Sequence, residues 1–283
     1  MKRILFLCMA ACTLMTGFAQ TDTTAKKDPS NEADTIRIGG IIIIRKPGTK
    51  DREIITRDGE IKIPSRDHSK PENLSTNWWI IDLGFSNFVD NTVYGPGTAA
   101  DLFAPGSTED WFKLRAGKSR NVNIWFFMQR FNIIKHVVNL KYGMGLELNN
   151  YHFDDEKIRF NKNPTMVIKD ADLTDASKNK LAADFLTVPM MLNFNFTPNR
   201  KNGFGISGGI SAGYLYSARQ KTKINDDKEK VRNDFDLKRW KLSYVGELLL
   251  GPVKIYGSYA MDNMWDKGLD QTPYNVGLRL SNW

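Results

Sequence analysis

Three histidines, His68, His136 and His152, are the residues of this 283-residue chain best suited to acid–base or metal chemistry. They lie far apart in sequence and none has metal-ligand spacing, so no metal is expected. His152 differs from the other two because Asp154 and Asp155 come just after it. An imidazole helped by a carboxylate can act as a general base, here for acyl transfer at a membrane rim. The plainer reading is a surface histidine at the base of a loop. Gly203-Phe-Gly-Ile-Ser-Gly208 fits G-x-G-x-x-G, which holds a dinucleotide only where a helix opens behind it. Gly205-Ile-Ser-Gly-Gly209 and Gly209-Ile-Ser-Ala-Gly213 fit G-x-S-x-G, which needs a strand-to-helix turn and a later histidine. The residues after these motifs alternate as a strand, and the chain has no histidine beyond His152. The small residues are read as the inner side of a curving wall. No catalytic residue, cofactor or small-molecule substrate is expected.

The charged residues are more informative. Asp82, Lys141, Glu147, Asp184, Arg239, Lys241, Glu247, Lys254 and Arg279 are assigned to the polar phase of alternating segments. If those segments close into a small barrel, side chains just fill its interior, and buried charges must pair. The expectation is a salt-bridged plug in which Asp82, Glu147 and Glu247 meet Lys141, Lys241 or Arg279; the alternative is a narrow ion path. A second group, Arg219, Lys221, Lys238 and Arg239, falls near an outer rim and could bind lipopolysaccharide phosphates. The surrounding stretch 219–234 mixes both signs of charge and otherwise reads as a solvated loop.

The segments that must position these residues share a period of two. Leu186, Val188, Met190, Leu192, Phe194 and Phe196 are apolar at alternate positions, a polar turn comes next, and Phe204, Ile206, Ile210, Ala212, Tyr214 and Tyr216 resume the pattern. That is a β-hairpin. Similar strands centre on 79–85, 122–131, 138–148, 240–250, 253–261 and 274–280. The second is blurred, with Trp125 and Phe127 opposed to Ile124, Phe126 and Met128. Eight strands result, and their connections alternate long and short. Bacterial outer-membrane barrels have an even strand count, short periplasmic turns and long external loops, whereas a soluble sandwich has no reason for such alternation. Trp79, Phe88, Phe131, Tyr151, Tyr216, Trp240 and Trp283 gather near strand ends, as interfacial girdles do. Several strands exceed the 9–11 residues or so needed to span, so the wall should stand above the outer leaflet. The expected fold is all-β: an eight-stranded antiparallel up-and-down transmembrane barrel over 77–283.

The N-terminal part reads differently. Residues 1–19 have a basic start, an apolar run and a small residue at Ala19, the pattern of a secretory signal peptide; a lipoprotein cut before Cys12 is the alternative. Both cysteines, Cys8 and Cys12, lie in this segment. The net charge of +8 falls to +6 once Lys2 and Arg3 leave. An exported basic chain meets acidic lipid headgroups rather than nucleic acid. Past the signal no apolar run approaches the roughly 20 residues of a spanning helix. Within 20–76, residues 34–63 form a small β-element of two to four strands, with Asp58-Gly59 as a hairpin signal. Too small to be robust alone, it is expected in the periplasm, docked on an envelope protein.

Asn77-Trp-Trp-Ile-Ile-Asp-Leu-Gly-Phe-Ser-Asn-Phe-Val89 resembles the first strand of the PorT-like outer-membrane β-barrel family of Bacteroidetes. Leu181–Pro189, with its mid-strand Val-Pro, and Ile206-Ser-Gly-Gly-Ile-Ser-Ala-Gly-Tyr214 with the basic stretch behind it resemble the same family. The likeness covers about 77–280 and extends to 35–44. It implies an eight-stranded outer-membrane barrel in the cell envelope. One class of members serves the type IX secretion and gliding apparatus; most have no assigned activity, and no catalytic residues carry over. Trp283 departs from the usual terminal signal, being out of phase with Tyr274, Val276, Leu278 and Leu280; a bulge at Ser281-Asn282 would restore it.

Overall fold

The computed structural model describes residues 73–281 except 163, 174–175, 199–202 and 226, together with the strands of a separate N-terminal sheet within 34–63. The expected signal segment, Cys8, Cys12, His68 and Trp283 lie outside the described residues.

The N-terminal sheet is an antiparallel meander of β1 (Asp34–Ile38), β2 (Ile41–Arg45), β3 (Arg52–Thr56) and β4 (Gly59–Ile63), in that order. The run Ile41–Ile44 forms β2, paired to β1 on one side and β3 on the other. That pairing occupies the backbone groups of the segment most prone to aggregate.

The second unit is a closed barrel. Its strands are β5 (Leu74–Asp90), β6 (Arg120–Ile134), β7 (Val138–His152), β10 (Ala176–Asn195), β11 (Phe204–Ile224), β13 (Trp240–Leu250), β14 (Val253–Ala260) and β15 (Gln271–Leu280). Each is antiparallel to the next, and β15 returns to pair with β5. Closure leaves no edge in lipid, where unpaired backbone groups are not tolerated. Leu74 and Leu280 both lie at the end with short turns. The barrel opens at Leu74, ahead of the expected Asn77.

The long connections are more ordered than their polarity suggests. The first holds two short helices, α1 (Ala99–Phe103) and α2 (Glu109–Phe112). The second holds the hairpin of β8 (Ile158–Phe160) and β9 (Val167–Lys169). The third, read as a loop, is strand: β11 runs to Ile224 and pairs with β12 (Asp227–Arg232). The alternation of Gln220, Thr222 and Ile224 against Lys221 and Lys223 continues through it, hidden by charge.

Two bulges explain the blurred second strand. Its register skips Phe126, and that of β5 skips Trp79, whose φ is +56°. Trp125 and Met128 therefore both point inward, while Trp78, Trp79, Phe126 and Phe127 crowd together outside, with Trp79 against Phe126 at 6.0 Å between ring centroids. Outward residues are apolar on every barrel strand, among them Leu83 and Phe85, Met190 and Leu192, Leu242 and Leu248, Val276 and Leu278, all exposed. So continuous an apolar belt fits lipid and not water.

Along β7, β10 and β11 the polarity reverses beyond this belt. Leu148, Leu186 and Tyr216 are the last outward apolar residues before the polar Asn150, Asp184 and Arg219. The inward side changes from Glu147, Thr187 and Ser211 to Tyr151, Phe185 and Leu215. Above that level the loops fold inward as an apolar cap. Phe153, Ile158, Phe160, Phe235, Leu237, Trp265 and Leu269 pack with Phe103 and Phe112 of the helices. Phe160 stacks on Trp265 at 5.8 Å and 7°. Gly268 has φ +88°, and a Cβ there would lie 2.3 Å from Phe103. Tyr151 and Phe88 belong to the cap rather than to a lipid-facing girdle; Trp79, Phe131, Tyr216 and Trp240 are exposed outside.

Candidate functional site

Facing β-strands bring the inward charges to one place in the lumen. Alternation puts Asp82 on β5, Lys141 and Glu147 on β7, Lys241 and Glu247 on β13, and Arg279 on β15. Lys141 is 1% exposed and pairs with Glu247; Lys241 pairs with Glu147. The Arg279 guanidinium forks onto Asp82, Nε to Oδ1 and Nη2 to Oδ2, each at 2.7 Å, and Nη1 reaches Glu247 Oε1 at 3.4 Å. Neutral donors complete the carboxylates. Trp125 Nε1 and Asn123 Nδ2 donate to Asp82 Oδ2 at 2.7 and 3.1 Å. Ser207 donates to Glu247 at 3.1 Å, and Asn149 and Asn275 donate to Glu147 at 3.0 Å each. Such satisfaction is what buried charges require. Lys254 is also inward, but it sits lower and donates to the Ser281 carbonyl at 2.6 Å.

Two assignments to this set are corrected. Asp184 faces outward: it lies opposite Leu148 and shares the phase of Leu186 and Val188. Arg239 precedes β13 at the rim and is exposed.

Ile80, Trp125, Met128 and Met191 form an apolar cluster among the network's charges, with Met191 directly opposite Lys141; toward the long loops the cap closes the lumen. A residual space of about 30 Å³ remains between Trp125, Glu147, Met191, Tyr256 and Arg279, room for about one water.

The rim cations are divided. Arg219 pairs with Asp184 and lies beside Lys221 on β11, whereas Lys238 bonds Asp262 at 2.6 Å. His152 ends β7 beyond the lipid-facing belt and is buried, with no hydrogen-bond partner for Nδ1. Burial, and then the nearby Lys178, Lys118, Lys180 and Arg115, push its pKa down to about 4. The carboxylates expected to assist it turn elsewhere: Asp154 accepts from Arg115 at 3.0 Å, and Asp155 pairs with Lys169 at 2.9 Å. The glycine motifs run inside β11, with no helix behind them. Among the described residues no cluster of His, Cys, Asp and Glu suits a metal.

Sequence reasoning missed the neutral side of the network. Trp125 is ambiguous in sequence because of the bulge after it, and the lumenal asparagines around the carboxylates, Asn121, Asn123, Asn149 and Asn275, carry no charge to mark them. Their shared phase with Asp82 and Glu147 was the available signal.

A family model described as outer membrane protein beta-barrel domain matches residues 82–255, from β5 into β14. Among curated proteins, none matches the chain.

Proposed function

We propose a role for this chain, which belongs to the outer membrane protein β-barrel domain family: a non-enzymatic anchor that offers its β1–β4 sheet to an envelope protein partner. The observation that carries this reading is the closed interior. Ion pairs with an apolar cluster among them, and an apolar cap over the long-loop mouth, fill the lumen. A barrel so filled has its outer surface and its attached sheet left to work with. Barrels of this kind turn their long loops outward and their short turns to the periplasm, which would give the β1–β4 sheet a periplasmic position. The resemblance of 77–89, 181–189 and 206–214 to PorT-like proteins supports a place near the type IX secretion apparatus.

Affinity capture from outer membranes tests the role. Deleting residues 21–70 should release the partner while the barrel still inserts; a truncated chain that keeps every partner argues against it. In planar bilayers the purified barrel should show no stable conductance of porin size, and such a conductance would refute the seal.

A second reading rests on His152. Its Nδ1 has no hydrogen-bond partner, which leaves a lone pair for a general base acting on outer-leaflet lipid; with a pKa pushed down to about 4 it is a weak base at neutral pH. Lipid A of unchanged structure in a deletion strain removes it.

A further inference from the structure

On the side of β7, β10, β11 and β12 the wall rises beyond the lipid-facing belt, and its outward face there carries rows of cations in register. In the lowest row Arg120, Asn150, Ala182, Arg219 and Arg232 are successive cross-strand partners. In the next, His152 lies opposite Lys180, Lys180 opposite Lys221, and Lys221 opposite Lys230. In the third, Lys223 lies between Lys178 and Lys228. Like charges directly opposite on one face of a sheet destabilise it, and here five such pairs stand side by side. The crowding shows in the groups themselves. Burial, and then Lys178, Lys221 and Arg219, push Lys180 down to about 8. Lys221 is lowered by partial burial and by Arg219, Lys230 and Lys178.

The rows are held rigidly. On the opposite face of the same segment Gln220 donates to the Ile158 carbonyl at 2.8 Å and to Asn179 at 2.9 Å, and it accepts from Phe160 N at 3.0 Å. Glu229 points to that face too and meets Arg159 at 3.2 Å. On the cationic face, Asp184 holds Arg219. Tyr214, Tyr216 and Trp240 are exposed just below, with the Tyr214 and Trp240 rings 5.1 Å apart. Aromatic side chains of this kind mark the level of headgroups.

We propose that this cationic ladder binds the phosphate groups of an anionic, phosphorylated glycolipid of the outer leaflet, so that the barrel carries lipid on its tall side. The proposal rests on the reading that the long-loop end faces outward. Arg219 and Arg232 offer planar forks to phosphate oxygens, and Lys180, Lys221 and Lys230 offer point charges above them. Of the four rim cations, Arg219 and Lys221 belong to the ladder; Lys238 and Arg239 do not.

The test uses the full-length protein and the variant K180Q/K221Q/K230Q, refolded into phosphatidylcholine vesicles. The vesicles contain bis-phosphorylated lipid A, dephosphorylated lipid A, or neither. The wild type should retain at least ten times more phosphorylated lipid than the triple variant through repurification, and its unfolding midpoint should rise with that lipid alone. K267Q, an exposed cation of the cap, should behave as the wild type. Equal retention by the triple variant, or equal retention of dephosphorylated lipid, overturns the proposal. So does equal stabilisation by inorganic tripolyphosphate with plain vesicles, which would indicate a soluble polyanion. If the triple variant does not fold, K228Q/K230Q on β12 gives the same readouts. Capture of the envelope partner by the triple variant is expected to persist, so loss of lipid binding and loss of the anchoring role are separately visible.

Discussion

Inside the lipid-facing belt the barrel is filled by Asp82, Lys141, Glu147, Glu247 and Arg279, with asparagines around them. A few residues further along β7, β10 and β11 it is filled by Tyr151, Leu181, Phe185 and Leu215. The strands are continuous and the change is abrupt. The difference lies in the medium outside. Where the outward residues meet hydrocarbon, apolar side chains are spent on the exterior and the interior is left to groups that must satisfy each other. Where the outward residues meet water, cations go outside and the interior reverts to an ordinary apolar core. Stability thus rests on electrostatic completeness in one region and on packing in the other.

Substitutions that separate the two regimes test this contrast. The largest effect is expected for Glu247→Ala, which strands Lys141 and one arm of Arg279. Removing one partner of a buried pair costs about 3–5 kcal/mol, read as a lower urea midpoint for the folded barrel in vesicles. Replacing Lys141 and Glu247 together by Met and Gln should recover most of that loss, and a double variant as weak as the single would break the argument. Next comes Met190→Arg, in the apolar belt, at about 2–4 kcal/mol if it lies near the bilayer midplane. Lys180 stands on the same strand and the same face beyond the belt, and Lys180→Leu should cost far less. Equal costs would place the boundary wrongly. In the cap, Ile158→Val should behave as in a soluble core, at about 1 kcal/mol, seen by the same denaturation series.

The smallest effect concerns Asp101 in the first loop. Its carboxylate accepts from the amides of Gly106 and Gly97, each at 3.1 Å. Those bonds, Gly106 first, hold its pKa below the usual carboxylate value. A depressed folded value means that the contribution is complete above the ordinary pKa near 4. It is lost as pH falls through the lower one. The protection factors of the Gly97 and Gly106 amides, corrected for intrinsic exchange, should therefore be high at neutral pH and fall in acid, while Asp101→Asn lowers them at neutral pH and changes little in acid.

Much of the barrel was legible because a period of two survives single-residue reading. The strand count, the alternating connections and the hairpin around 186–216 all come from it. Legibility failed wherever the period was broken or disguised. The bulges at Trp79 and Phe126 shift phase by one residue, which no pattern of types reveals. The upper half of β11 was hidden because a charged outward face there looks like a loop when lipid is assumed everywhere. Asp184 and Arg239 were misplaced for the same reason: one lies on the outward phase at the boundary, the other above the lumen's end. The cap could not be read at all. Its members Phe103, Phe153, Phe235 and Trp265 come from four separate connections, and only the closed barrel brings their loops over one mouth.

The wall has unequal height: β10 and β11 run 20 and 21 residues, β14 and β15 only 8 and 10. A molecule of this shape has a front and a back within the plane of the bilayer. A neighbour approaching from one compass direction meets a high, wet parapet; from the other it meets hydrocarbon almost to the top. Lateral crowding can therefore sort its encounters by azimuth.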